Sequence, residues 1–192
     1  NLLESLIQPN TKLIVINNPH NPTGAMATSE ELLQIIEIAK NHNIYIFSDE
    51  VYRGLEFSQE DKLPSISDLY PKSVSLGVMS KAFGLAGLRI GWIITQDHVI
   101  LQKMKSFKDY TTICNSAPSE WLATIALRHK NFILKRNLDI IERNLNLLDI
   151  FLEKYCNLFE WIRPKAGSVG FVRLKTEEPI EDFCLEVVES AG

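Results

Sequence analysis

Cysteine is scarce in this 192-residue chain, and the three present (Cys114, Cys156 and Cys184) are far apart with no CxxC pair. That excludes a disulfide scaffold and a cysteine zinc site, and it is the usage expected of a reducing, cytoplasmic compartment. An excess of positive charge is also missing. With 20 Lys and Arg against 24 Asp and Glu, the net charge of −4 offers nothing to a nucleic acid or an anionic membrane. Long apolar runs are absent, the longest being broken within about eight residues, so no transmembrane helix is expected. No basic segment precedes an apolar one at the start, so no secretory signal is visible. Neither His20 nor His42 has a partner at metal-ligand spacing, and no metal site is expected. Internal repeats, low-complexity tracts and flexible linkers are missing too.

What is present is ordinary globular material, 45% hydrophobic and 23% charged, enough for one sizeable core or a large domain with part of a second. The first residues (NLLESLIQPN) carry no initiator Met and the last (EVVESAG) close no element, so the chain reads as a piece of a longer polypeptide. The run TKLIVINNP (11–19) predicts a strand buried on both faces. TSEELLQIIEIAKNH then predicts a helix, with Thr28 and Glu31 at capping-box spacing and Leu32, Ile35, Ile36 and Ala39 on one face. NIYIFSDE predicts a second buried strand, so residues 11–49 form a βαβ unit. SVSLGV (73–78) and IGWIIT (90–95) are further strands, and helices are expected near 97–110, 116–130 and 131–155. The last of these places Leu138, Ile141, Leu145, Leu148 and Leu152 on one seam, and Lys103, Lys105 and Lys108 form a solvated strip on an earlier helix. FEWIRPKAGSVGFVRLK predicts two strands joined by a Lys-Ala-Gly turn, and EPIEDFCLEVVES an amphipathic helix. The fold class expected is α/β, a mostly parallel sheet with flanking helices over residues 1–130. The connecting long helix and the beginning of a small α+β domain fill 131–192.

Three clusters fall where strands end, the place where open parallel sheets put ligands: NNPHNPTG (17–24), SDEVYRG (48–54) and MSKAFGLAGLRIG (79–91). Lys81 is the most unusual residue among them, a lysine in mostly small, apolar company. A lysine becomes nucleophilic at neutral pH only when desolvation or a neighbouring cation lowers its pKa, and this setting is expected to supply the desolvation. Asp49 closes an apolar strand and needs a partner for its carboxylate, although an Asp there can also cap a turn. Taken singly, Tyr52 reads equally as a core-edge aromatic, Asn21 as a turn former and Arg89 as an exposed strand residue. GLAGLRIG precedes a strand instead of opening a helix, so it fails as a dinucleotide-binding fingerprint.

In order and spacing the three clusters together resemble the class I/II aminotransferase family, fold-type I pyridoxal-phosphate enzymes similar to aspartate aminotransferase. The resemblance is dense over residues 11–95 and weaker beyond. It implies pyridoxal 5′-phosphate as cofactor, bonded through Lys81, which also shuttles a proton. It implies Asp49 on the pyridinium nitrogen, Asn21 and Tyr52 on the phenolate oxygen, and Ser80 with Arg89 on the phosphate. It further implies a cis Asn21–Pro22 bond, amino acid and 2-oxo acid substrates, and a homodimer. Val78 departs from the pattern, because the family often carries Ser or Thr three positions before the lysine. A glycine-rich phosphate loop, a stacking aromatic and a substrate-carboxylate arginine have no counterpart in these residues, and neither Arg163 nor Arg173 matches the last. The chain alone is therefore expected to be inactive or weakly active. Elimination, C–S lysis, decarboxylation or cyclisation would use the same residues. A transcriptional regulator that binds the cofactor as an effector is the remaining alternative.

Overall fold

The computed structural model describes residues 2–192. A four-stranded sheet occupies the first half of the chain. Strands β1 (Leu13–Asn17), β2 (Tyr45–Asp49) and β3 (Ser73–Val78) lie side by side and parallel, and β4 (Gly91–Ile94) pairs antiparallel with β3. Helix α1 (Leu2–Ser5) precedes the sheet, α2 (Ser29–Asn41) joins β1 to β2, and the short α3 (Ile66–Leu69) leads into β3. The mostly parallel sheet with flanking helices is the architecture expected, and the limits of β3 agree with the sequence reading residue for residue.

Helix α2 starts where the capping box places it. The Thr28 hydroxyl accepts the Glu31 N–H at 3.1 Å, and the Glu31 carboxylate accepts the Thr28 N–H at 2.7 Å. Its apolar stripe (Leu32, Ile36 and Ala39) packs on Ile14, Ile44 and Ile46 and forms the principal core with Ile66 and Tyr70. Each fully buried isoleucine there stabilises the fold by about 1.5–3 kcal/mol. Burial of β1 on both faces is not observed. Side chains alternate along a strand, so Ile14 meets α2 while Leu13 and Val15 face the other way and are 50% and 65% exposed. No described residue covers that second face at β1.

Helices α4 (His98–Thr111), α5 (Ala117–Arg128) and α6 (Lys130–Lys154) follow the sheet. Asp97 caps α4 through the Val99 and Ile100 N–H groups and also accepts the Tyr45 hydroxyl at 2.6 Å. The Tyr45 bond is the main cause holding the Asp97 carboxyl below its ordinary range, and it pushes the Tyr45 phenol up. Lys108 is not simply solvated, since its ammonium donates to Thr112 and Asn115 and steadies the end of α4. Leu138 and Ile141 of α6, with the adjacent Leu134, pack on Tyr52, Leu55 and Ala82, while Leu145 and Leu152 continue the seam in buried positions.

Strands β5 (Phe159–Trp161) and β6 (Val172–Leu174) pair antiparallel, and α7 (Ile180–Ala191) ends the chain. Their connection is longer than the Lys-Ala-Gly turn expected from the sequence. Residues 162–171 leave the hairpin, and the backbone of 165–167 hydrogen-bonds to Gly24, Leu55 and Phe57 before the chain returns. That backbone pairing, including a bridge between Glu56 and Ala166, is why the segment is not a tight turn.

Candidate functional site

Parallel strands present their C-terminal ends at one edge of a sheet, and that edge gathers the three clusters. Asn21 lies in the loop leaving β1, Asp49 and Tyr52 at the exit of β2, and Ser80 and Lys81 just past β3. Because β4 runs the opposite way, its first residue Gly91 pairs with Val78 at the same edge. Arg89, two residues earlier, is thereby brought to the edge as well. One antiparallel strand explains why five of the expected residues end or follow a strand and the sixth precedes one.

The loops interlock. The Asn18 N–H donates to the Asp49 carbonyl at 3.1 Å, continuing the β1–β2 ladder beyond Asn17. The Glu50 N–H donates to Leu76 of β3, and the Ala82 N–H to Val51, which links the lysine loop to the tyrosine loop. The Asn137 amide on α6 donates to the Ala82 carbonyl at 2.9 Å, so the long helix also fixes the residue after Lys81. Behind the lysine loop, Met79 packs with Ala123 and Ala126 of α5, and Phe83 and Trp92 meet edge to face. Both Asn18–Pro19 and Asn21–Pro22 are cis; the first was not expected.

The functional atoms of the six residues are almost entirely unspent. The Lys81 ammonium lies 5.8 Å from the centroid of the Tyr52 ring and meets no carboxylate among the described residues. The Tyr52 ring is buried, at 3% exposure, yet its hydroxyl makes no hydrogen bond to a described residue. The Asn21 amide and the Ser80 hydroxyl likewise have no described partner. Asp49 uses one carboxylate oxygen on the Val51 N–H at 3.2 Å, so the turn-capping reading holds in part. Arg89 adopts a left-handed conformation (φ 52°) and spends one N–H on the Ala86 carbonyl at 3.1 Å. The chemistry left over is one amine, one acid, an amide, two hydroxyls and a guanidinium. That set fits a charged, aromatic, phosphorylated group with an electrophilic carbon.

One expectation is corrected. Lys81 is exposed, so this chain's own residues do not supply the desolvation inferred from its apolar neighbours. Those neighbours turn inward to the core (Met79 at 0% and Ala82 at 2% exposure), while the lysine projects from the loop. Arg89 is exposed too, capping the 3-10 turn Ala86–Leu88.

Sequence reasoning missed three supports of the site. Glu50 is buried and accepts Ser65, Ser75 and Ile66 on one oxygen and Arg53 on the other. Gly24 (φ +65°) lies against Pro164, and its carbonyl accepts the N–H groups of Lys165 and Ala166 at 2.9 and 3.2 Å. Asn17 joins two of the clusters through its side chain. Only the quoted motifs themselves hinted at these, since Glu50, Gly24 and Asn17 all lie inside them. Arg163 is engaged elsewhere, with Asp149 at 2.8 Å. Among the described residues no group of acidic, histidine or cysteine side chains could hold a metal, and no helix is long and apolar enough to cross a membrane.

The sequence pattern of the family described as "Aminotransferase class I and II" matches residues 1–189. An aspartate aminotransferase of Sulfolobus acidocaldarius is 32% identical over 201 aligned positions, covering all of this chain and 49% of the relative. A crystal structure of a PLP-dependent aminotransferase from Streptococcus suis superposes with a TM-score of 0.91 at 40% identity, covering 98% of this chain and 49% of that one. A structure of the PLP-dependent cyclase OrfR superposes with a TM-score of 0.88 at 26% identity, covering 98% of this chain and 51% of that one. The chain spans about half the length of each.

Proposed function

Because the chain belongs to the class I and II aminotransferase family, whose cofactor is pyridoxal 5′-phosphate, we propose that a polypeptide carrying it transfers an amino group between an amino acid and a 2-oxo acid. The observation that carries this reading is the edge of the sheet just described, along which one amine, one carboxylate and four donors lie with their polar atoms almost entirely unspent.

Each residue then has one task. Ser80 and Arg89 hold the phosphate, the hydroxyl as a single donor and the guanidinium as a charged fork. Asp49 keeps a proton on the ring nitrogen, and the Val51 N–H on its other oxygen fixes the carboxylate's direction. The Asn21 amide and the Tyr52 hydroxyl donate to the phenolate oxygen. The Lys81 amine would hold the cofactor covalently and, when free, would move a proton at the substrate carbon. The cofactor itself, when bound, supplies the electron sink that stabilises charge on that carbon. Val78 offers no hydroxyl, so Ser80 and Arg89 are this segment's own donors to the phosphate.

The proposal extends to the rest of the protein. Residues 1–130 serve as part of the cofactor domain and 131–192 open a smaller one. The active form is a cytoplasmic homodimer, and the 192 residues alone take up cofactor weakly. The exposure of Lys81 supports the last point, since other elements must shield the amine. The rival reading is a different reaction of the same bound substrate, since a cyclase shares this fold. Incubating the polypeptide with single amino acids and following the cofactor spectrum separates them. Conversion of the cofactor to its amine form with release of a 2-oxo acid is the expected result. Release of ammonia, sulfide or carbon dioxide, or a cyclised product, without that conversion would refute it.

A further inference from the structure

Asn17, the last residue of β1, has no task in the scheme above, yet both polar atoms of its side chain are hydrogen-bonded. Its Nδ2 donates to the Asp49 carbonyl oxygen at 3.0 Å, and its Oδ1 accepts the Asn21 N–H at 2.6 Å. The partners decide which way the amide points, because a main-chain carbonyl only accepts and a main-chain N–H only donates. The same Asp49 carbonyl also receives the Asn18 N–H at 3.1 Å. Since β1 and β2 are already paired in register from Leu13↔Tyr45 to Asn17↔Asp49, the strands do not need this extra bond to align. What the side chain adds is a link from the end of β2 to the loop carrying Asn21.

Resting on the pyridoxal-phosphate reading, the geometry points to Asn17 as a positioning residue. It sets the placement of Asp49 against Asn21, and through them the charge state of the cofactor ring. The role requires a donor and an acceptor on separate atoms of one short side chain. Aspartate keeps the acceptor and loses the donor, and alanine loses both.

Two measurements test this with Asn17→Ala, Asn17→Asp and, as a control remote from the site, Thr28→Ala, which removes the cap of α2. In the cofactor-free protein, exchange of the Asn21 amide hydrogen should quicken about five- to tenfold in Asn17→Ala and stay near wild type in Asn17→Asp. In the cofactor-loaded polypeptide, both Asn17 variants should move the midpoint of the spectroscopic pH titration by about half a unit or more. Thr28→Ala should lower Tm and leave that midpoint alone. The inference is overturned if Asn17→Ala matches wild type in both readouts, or if Thr28→Ala moves the midpoint equally. A wild-type polypeptide that takes up no cofactor overturns the site reading itself, and this inference with it.

Discussion

Replacing Glu50 should damage the fold and the site together, by an amount the structure lets one work out. The carboxylate is buried at 8% exposure and lies between Asp49 and Tyr52 in the chain. Its Oε1 accepts the Ser65 hydroxyl at 3.1 Å, the Ile66 N–H at 3.0 Å and the Ser75 hydroxyl at 3.2 Å, and its Oε2 meets Arg53 at 3.3 Å. In Glu50→Ala the two serines still have each other at 2.7 Å, and Arg53 is 44% exposed and keeps the Leu63 carbonyl. The Ile66 N–H is left without a partner inside the protein, which costs about 1–3 kcal/mol. The vacated side-chain volume adds a packing loss, for a total of about 3 kcal/mol. Glu50→Gln keeps an acceptor for the Ile66 N–H and should cost only about 1 kcal/mol. Urea unfolding at unchanged m-value measures both. A Glu50→Ala midpoint indistinguishable from wild type, or a Glu50→Gln variant as weak as Glu50→Ala, would refute the reasoning.

Gly24→Ala should be costly in another way. A Cβ there would lie 2.3 Å from the Pro164 Cβ and 2.6 Å from the Ala166 oxygen, on a backbone with φ +65°. Overpacking and left-handed strain together should cost about 2–4 kcal/mol, read by denaturant unfolding; a cost near zero would mean that the 164–167 segment moves freely. Asp149 should contribute to acid sensitivity. Hydrogen bonds from Arg163 and Trp161, the first the larger cause, outweigh burial and hold its carboxyl below the ordinary range. A depressed folded pKa stabilises above the unfolded value and is lost as pH falls through the folded one. Stability should therefore decline below about pH 4, and Asp149→Asn should flatten that decline in thermal melts taken across the range.

The elements legible in the sequence were those whose signal is local. The Thr28–Glu31 box placed α2, and the β-branched or bulky residues alternating with small ones in SVSLGV placed β3. The motif loops were legible because strand ends in parallel sheets collect ligands, and the topology did bring all six residues to one edge. What was not legible depended on contacts between distant residues. Lys81 looked enclosed because its sequence neighbours are apolar, but those side chains point to the core and the lysine does not. Asn17 read as part of the TKLIVINNP strand, and only the register Asn17↔Asp49 shows what its amide reaches. The β5–β6 connection looked like a tight turn because a Lys-Ala-Gly triplet cannot reveal that its backbone pairs with Gly24 and Leu55.

The account stands on Lys81 as the residue that bonds the cofactor. Borohydride reduction of the cofactor-loaded polypeptide, followed by proteolysis and peptide mapping, tests this most directly. A stable pyridoxyl adduct on the peptide containing Met79, Ser80 and Lys81, and its disappearance in Lys81→Ala, is the predicted result. An adduct on another lysine, or none on a polypeptide that has visibly taken up the cofactor, would contradict it.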